Sequence, residues 1–120
     1  MGDTELSIRL DLTNGDRIGP GKIALLEAIR ATGSISGAAR RLGMSYRRAW
    51  LLVEQLNDAL EKPAVTAAPG GHRGGGAAVT PEGERVIALY RAIEGIARAS
   101  AKEEFRAVGR LVRKGRSARP

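Results

Sequence analysis

The window from Gly33 to Leu56, GSISGAARRLGMSYRRAWLLVEQL, constrains this chain more than any other stretch. Ser34 stands where a helix N-cap belongs, and Ile35 to Leu42 reads as one short helix. Gly43-Met44 supplies a turn, because glycine takes a backbone conformation closed to bulkier residues. Ser45 then caps a second helix, Tyr46 to Leu60. Ala38 and Ala39 are small enough for the two helices to approach closely, and Leu42, Met44, Ala49, Val53 and Leu56 recur at helical spacing to form a shared core. Left outward at the start of the second helix are Tyr46, Arg47, Arg48, Trp50 and Leu51. Two guanidiniums and a phenol are what reading a base edge and neutralising a phosphate require. The window is a helix-turn-helix, and its natural partner is double-stranded DNA. An ordinary helical hairpin with a solvated arginine face is the alternative; it leaves the coincidence of caps, turn, small contact residues and exposed donors unexplained.

The hydroxyls of Ser34, Ser36 and Ser45 lie at the N-termini of the two helices, where free amides favour an anion. Specificity is expected from Tyr46, Arg47, Arg48, Trp50 and Leu51 in the major groove. Trp50 falls at the boundary of the core face set by Ala49 and Val53, so it either meets DNA or packs beneath the segment that follows.

Composition narrows the remaining classes. The chain has 120 residues, a formal charge of +7 and 42% hydrophobic residues, enough for one modest core and an appendage. That sign of charge favours polyanions: nucleic acid first, an anionic membrane surface second. No apolar run approaches the roughly 20 residues of a membrane span, and the N-terminus MGDTEL has neither signal-peptide layout nor the residue pattern of a myristoylation site. The lack of cysteine fits a cytoplasmic protein. With a single histidine, His72, most catalytic and metal constellations drop out, and the thirteen carboxylates lie scattered beside Lys or Arg. Neither an enzyme nor a bound cofactor or metal is expected.

Upstream, Leu6, Ile8, Leu10 and Leu12 alternate with Ser7, Arg9 and Asp11, the period of a strand with one buried face. Asn14-Gly15 is a hairpin turn, Arg17-Ile18 begins a return strand, and Gly19-Pro20-Gly21 stops it. Lys22 to Ala31 forms a first helix, ended by Gly33. Downstream, Pro63 closes the second helix of the pair. Val65-Thr66-Ala67 and Ala77-Ala78-Val79 then flank PGGHRGGG and predict a second hairpin, the wing of a winged helix. Only His72 and Arg73 carry bulky side chains at its tip, where bare backbone could lie along a sugar-phosphate strand and Arg73 reach a phosphate or the minor groove. A flexible tip in the unbound protein is the competing reading. A nucleotide-cradling loop fails, because Gly76-Ala77 stands where the P-loop needs Lys-Ser/Thr.

Thr80-Pro81-Glu82 starts a final helix with a cap, a proline at the first position and an acid in the first turn. Its stripe of Val86, Tyr90, Ile93, Ala97, Ala101, Phe105, Val108 and Val112 predicts a helix to Lys114, about 50 Å long. So long a helix outruns a small winged domain. A second copy is the simplest cover for Leu89, Ile93, Ile96, Ala97, Ala101, Phe105 and Val108, which predicts a homodimer. The alternative is that Ala99-Ser100 breaks the helix. The expected fold is mainly α with small β hairpins. Residues 1–79 form a winged helix-turn-helix domain (hairpin about 5–18, helix-turn-helix 34–60, wing 65–79), 80–114 the dimerisation helix and 115–120 a basic tail.

In this order of elements the chain resembles the N-terminal DNA-binding domain of the ModE family, molybdate-responsive transcription regulators. SGAARRLGMSYRRAWLLVEQLN (Ser36 to Asn57), PGGHRGGGAAVT (Pro69 to Thr80) and TPEGERVIALYRAIE (Thr80 to Glu94) carry the likeness. A helix-turn-helix alone would not separate this family from LysR-type regulators. The resemblance implies a dimeric regulator of transcription on a near-palindromic site. Family members hold molybdate in C-terminal domains for which 120 residues leave no room, so molybdate is not expected to bind this chain. A winged-helix protein-interaction adaptor without DNA recognition is the rival, and Arg47, Arg48 and Arg73 argue against it.

Overall fold

The computed structural model describes residues 4–69 and 75–115. In chain order its elements are β1 (Leu10–Asp11), β2 (Arg17–Ile18), α1 (Pro20–Thr32), α2 (Ile35–Leu42), α3 (Tyr46–Ala59), β3 (Val65–Ala68), β4 (Gly76–Val79), α4 (Pro81–Ser100) and α5 (Lys102–Leu111). The mainly helical fold with two antiparallel hairpins is the one expected.

The first hairpin turns where Asn14-Gly15 predicts. Gly15 takes φ +93°, the Asp16 N–H donates to Asn14 Oδ1 (3.0 Å), and the Leu12 N–H donates to the Asp16 carbonyl (2.8 Å). The strand is shorter than its alternation suggests. Leu6, Ile8, Leu10 and Leu12 do face inward and their neighbours outward, yet only Leu10 and Asp11 pair, with Ile18 and Arg17. The cause lies in the partner: α1 begins at Pro20, so the return strand has two residues to offer. Proline suits that first helical position, since the N–H it lacks would have no intrahelical acceptor. The Ile8 carbonyl instead accepts from the Tyr90 hydroxyl (2.7 Å), and burial pushes that hydroxyl above its usual 10.0, keeping it a donor.

Ile23, Leu25, Leu26, Ala28 and Ile29 of α1 form the centre of the core, against Ala38, Ala39, Ala49, Val53 and Leu56. Gly33 ends α1 at φ +79°. Its carbonyl accepts from the Ala77 N–H (2.9 Å), which pins β4 to the corner between α1 and α2. In the second hairpin Val65 pairs with Val79 and Ala68 with Gly76. His72 and Arg73 lie outside the described residues, as does the tail from 116 onward.

Thr80 ties α4 to this hairpin. Its Oγ1 accepts from the Gly83 N–H (3.0 Å) and donates to the Pro63 carbonyl (2.6 Å), while its own N–H donates to the Ala64 carbonyl (2.9 Å). The predicted apolar stripe of α4 divides in two. Gly83, Ile87, Tyr90 and Glu94 are buried against the domain, whereas Leu89, Ile93 and Ile96 are exposed. Leu89, Ile93 and Ile96 thus stand on the side expected to meet a second copy, while ion pairs beside the buried Ile87 and Tyr90 tie α4 to α1. Arg91 grips both Glu27 oxygens (3.0 and 2.7 Å) and Glu94 (2.7 Å), and Arg30 meets Glu84 (2.6 Å). Glu94 keeps 9% of its surface.

The helix expected to run unbroken from 80 to 114 is interrupted at Ala101 (φ −109°, ψ 24°), and α5 ends at Leu111. Ala99-Ser100-Ala101 presents no side chain large enough to hold the two halves in line by packing. The bonds Ala101 N–H to Ala97 carbonyl (3.0 Å) and Phe105 N–H to Ala101 carbonyl (2.9 Å) flank the interruption, which is therefore a bend between helices. Thr4, Gly95, Arg98, Phe105 and Gly109 are among the residues lining an open cleft of about 790 Å³ beside it, to which neither α2 nor α3 contributes.

Two outcomes follow for stability. A Cβ at Gly83 would overlap the Ala64 carbonyl oxygen and stand 2.7 Å from Val79 Cγ1, so Gly83→Ala should cost about 1–3 kcal/mol in denaturant unfolding. An unchanged midpoint would show that α4 does not press on the hairpin. Hydrogen bonds from Arg91, with the charges of Arg91 and Arg30, hold the Glu27 carboxyl below its usual 4.5 against the opposing effect of burial. That contribution is complete above 4.5 and is lost as pH falls through the lowered value. Melting temperature should accordingly drop more steeply as pH falls below about 4.5 in the native chain than in Glu27→Gln; parallel curves would refute the coupling.

Candidate nucleic-acid interface

The α2–α3 unit forms as its sequence predicts. Ser34 is extended and its Oγ accepts from the Gly37 N–H (2.9 Å), with Ser36 Oγ 3.5 Å away. Gly43 takes φ +70°, the left-handed conformation that ends α2, and the Met44 N–H donates to the Ala39 carbonyl (3.0 Å). Ser45 Oγ accepts from the Arg48 N–H (3.1 Å) and starts α3 at Tyr46. Ala49 is wholly buried, with Val53 and Leu56 on the same face. That burial fixes which residues of α3 remain outside.

Tyr46, Arg47, Arg48, Trp50 and Leu51 are all exposed. Trp50 keeps 43% of its surface, so it stands on the outward face and is not sealed beneath the hairpin. Among the described residues neither Arg47 nor Arg48 makes an ion pair. The first turns of α2 and α3 hold no acid, whereas α4 begins with Glu82 and Glu84 and α5 with Glu103 and Glu104. Two arginines in the positive first turn of α3 are mutually unfavourable until an anion arrives. The start of each helix of the pair offers cations or hydroxyls and an N-terminus that no acid in its first turn neutralises.

Glu54 and Gln55 were missed in the sequence. They are exposed one turn beyond Trp50 and Leu51. A carboxylate accepts from the cytosine amino group and a glutamine side chain pairs with adenine, so both suit a base-reading face. The spacing that located the core would have found them, since they lie seven residues after Arg47 and Arg48. Among the described residues no group of His, Asp and Glu could hold a metal ion, and no helix is long and apolar enough to cross a membrane.

Residues 21–84, from the start of α1 to the first turn of α4, match the bacterial regulatory helix-turn-helix proteins of the lysR family. The chain belongs to that family. Among its relatives is the molybdenum-pterin-binding protein MopB of Rhodobacter capsulatus, 58% identical over 80 residues, which are 67% of this chain and 30% of MopB. The DNA-binding transcriptional dual regulator ModE of Escherichia coli is 44% identical over 71 residues, 59% of this chain and 27% of that protein. This lysR-family chain thus spans less than a third of the length of either relative. The full-length LTTR LysG of Corynebacterium glutamicum shares its fold, with a TM-score of 0.53 at 23% identity over 78% of this chain and 29% of LysG.

Proposed function

We propose that this chain is a sequence-specific DNA-binding regulator of transcription, of ModE/LysR type, that acts as a homodimer on genes linked to molybdenum. The exposed, acid-free N-terminal turn of α3 carries the reading: it presents Tyr46, Arg47, Arg48, Trp50 and Leu51 on a helix whose opposite face is locked in the core. Affinity comes mainly from arginines and helix N-termini on phosphates, with the hydroxyls of Ser34, Ser36 and Ser45 beside them. Base choice comes from the α3 side chains in the major groove. His72 and Arg73, outside the described residues, are assigned to the flanking backbone or minor groove on sequence grounds alone. The link to molybdenum rests on the relatives MopB and ModE.

The surface α4 leaves uncovered supports the dimer. Leu89, Ile93 and Ile96 are exposed at helical spacing, Ile96 with 67% of its surface, and Val108 continues the apolar exposure on α5. Ala97, Ala101 and Phe105 are half-buried beside them. Soluble monomers rarely leave so contiguous an apolar face open, and a second copy would cover it. A two-fold pair also presents two α3 helices to successive major grooves, about 34–36 Å apart.

The deciding experiment is an electrophoretic shift at physiological salt, with duplex from upstream of the chain's own gene and from promoters of molybdate-transport genes. Arg47→Ala or Arg48→Ala should weaken specific binding by about 1–3 kcal/mol. If both leave the preference for specific over random duplex unchanged, α3 is not the reading helix. Sedimentation should find a dimer at tens of micromolar, and Ile93→Asp with Ile96→Asp should dissociate it and weaken two-half-site binding far more than half-site binding. A monomeric native chain would refute the dimer and leave the α3 assignment standing.

A further inference from the structure

We propose that Asn57 sets the angle of the β3–β4 wing against the recognition helix α3, and so governs DNA contacts at the flanks of a site whose bases it never touches. The inference rests on the DNA-binding reading above.

Asn57 lies in the last turn of α3, on the flank nearest β3. Its Nδ2 donates to the Val65 carbonyl (3.0 Å), and its Oδ1 accepts from the Ala64 N–H (2.8 Å) and the Val65 N–H (3.2 Å). A side-chain amide carries the same donor and acceptor as a peptide group. Asn57 therefore serves β3 as one further piece of backbone edge, presented by a helix instead of a strand. Ala64 and Val65 are buried, so the groups it satisfies have no easy recourse to water.

The wing has little else to fix its angle from this side. Thr66 and Ala67 are exposed, and the β3–β4 ladder above its root is built from alanine, threonine and glycine. The opposite side of the root is held by Thr80 and Gly83 of α4, and β4 is pinned to Gly33. Among the described residues Asn57 is the hydrogen-bonded link between wing and reading helix. Aspartate would keep the two accepted bonds and set a carboxylate against the Val65 carbonyl, and alanine would lose all three.

The test uses the full chain as Asn57→Ala and Asn57→Asp. Without DNA, amide exchange at Ala64 and Val65 should quicken by about tenfold or more in Asn57→Ala, and less in Asn57→Asp, while the buried amides of α1 hold their native rates. On an operator duplex, hydroxyl-radical protection at the flanks should fade, with affinity falling about tenfold, while guanine N7 protection in the major groove persists. Flank protection that survives Asn57→Ala overturns the proposal, as does equal loss of flank and N7 protection. Should Asn57→Ala fail to fold, the isosteric aspartate must still show the selective flank defect, or the proposal fails. Unaltered exchange at Ala64 and Val65 in the folded variants refutes the anchor whether or not DNA binds. A native chain that gives no footprint overturns the DNA-binding reading itself.

Discussion

The molecule depends on backbones that come close because side chains give way. Ala38, Ala39 and Ala49 are buried where α2 and α3 meet the core, and Gly83 lies under the Ala64 carbonyl with no room for a methyl group. In a domain this small such contacts substitute for bulk: four aromatics are all the chain has, and two stand exposed on α3. Interiors pack at nearly crystalline density, so one added methyl at such a point must move an element as a body. The elements it would move are α3 and α4, the proposed reading helix and the proposed dimer helix.

Around that packed centre polar links divide the labour. Ion pairs from Arg91 and Arg30 stitch α4 to α1, Asn57 and Thr80 hold the two sides of the hairpin root, and Ser34 and Ser45 start the helices of the reading unit. The ion pairs join partners far apart in sequence. Exposed ion pairs of this kind contribute modestly to stability. Their value here lies in direction, because each joins two specified elements.

What sequence alone disclosed follows from the range of the forces involved. The bounds of α2 and the start of α3 were legible because serine caps and Gly43 act within a few residues. The hairpin at Asn14-Gly15 was legible for the same reason. The short β1 and the buried Glu94 were not, because each depends on a partner elsewhere: β2 cut short by Pro20, or the Arg91 that Glu94 shares with Glu27 of α1. The bend at Ala101 left only a weak local trace in three small residues. Asn57 belongs to a resembling motif, yet its bonds to Ala64 and Val65 cannot be inferred from spacing.

The bend also separates two unlike kinds of helix. Before it, α4 buries four residues and carries the ion pairs to α1; beyond it, α5 buries none among its ten. A ten-residue helix with so little tertiary cover, Phe105 and Gly109 half-buried near Thr4, is marginal in water. The segment after Ala101 is thus expected to open before the rest of the fold. Under the proposed dimer its helicity would become a function of protein concentration, and a dilute solution would hold the same folded domain with a shorter rod.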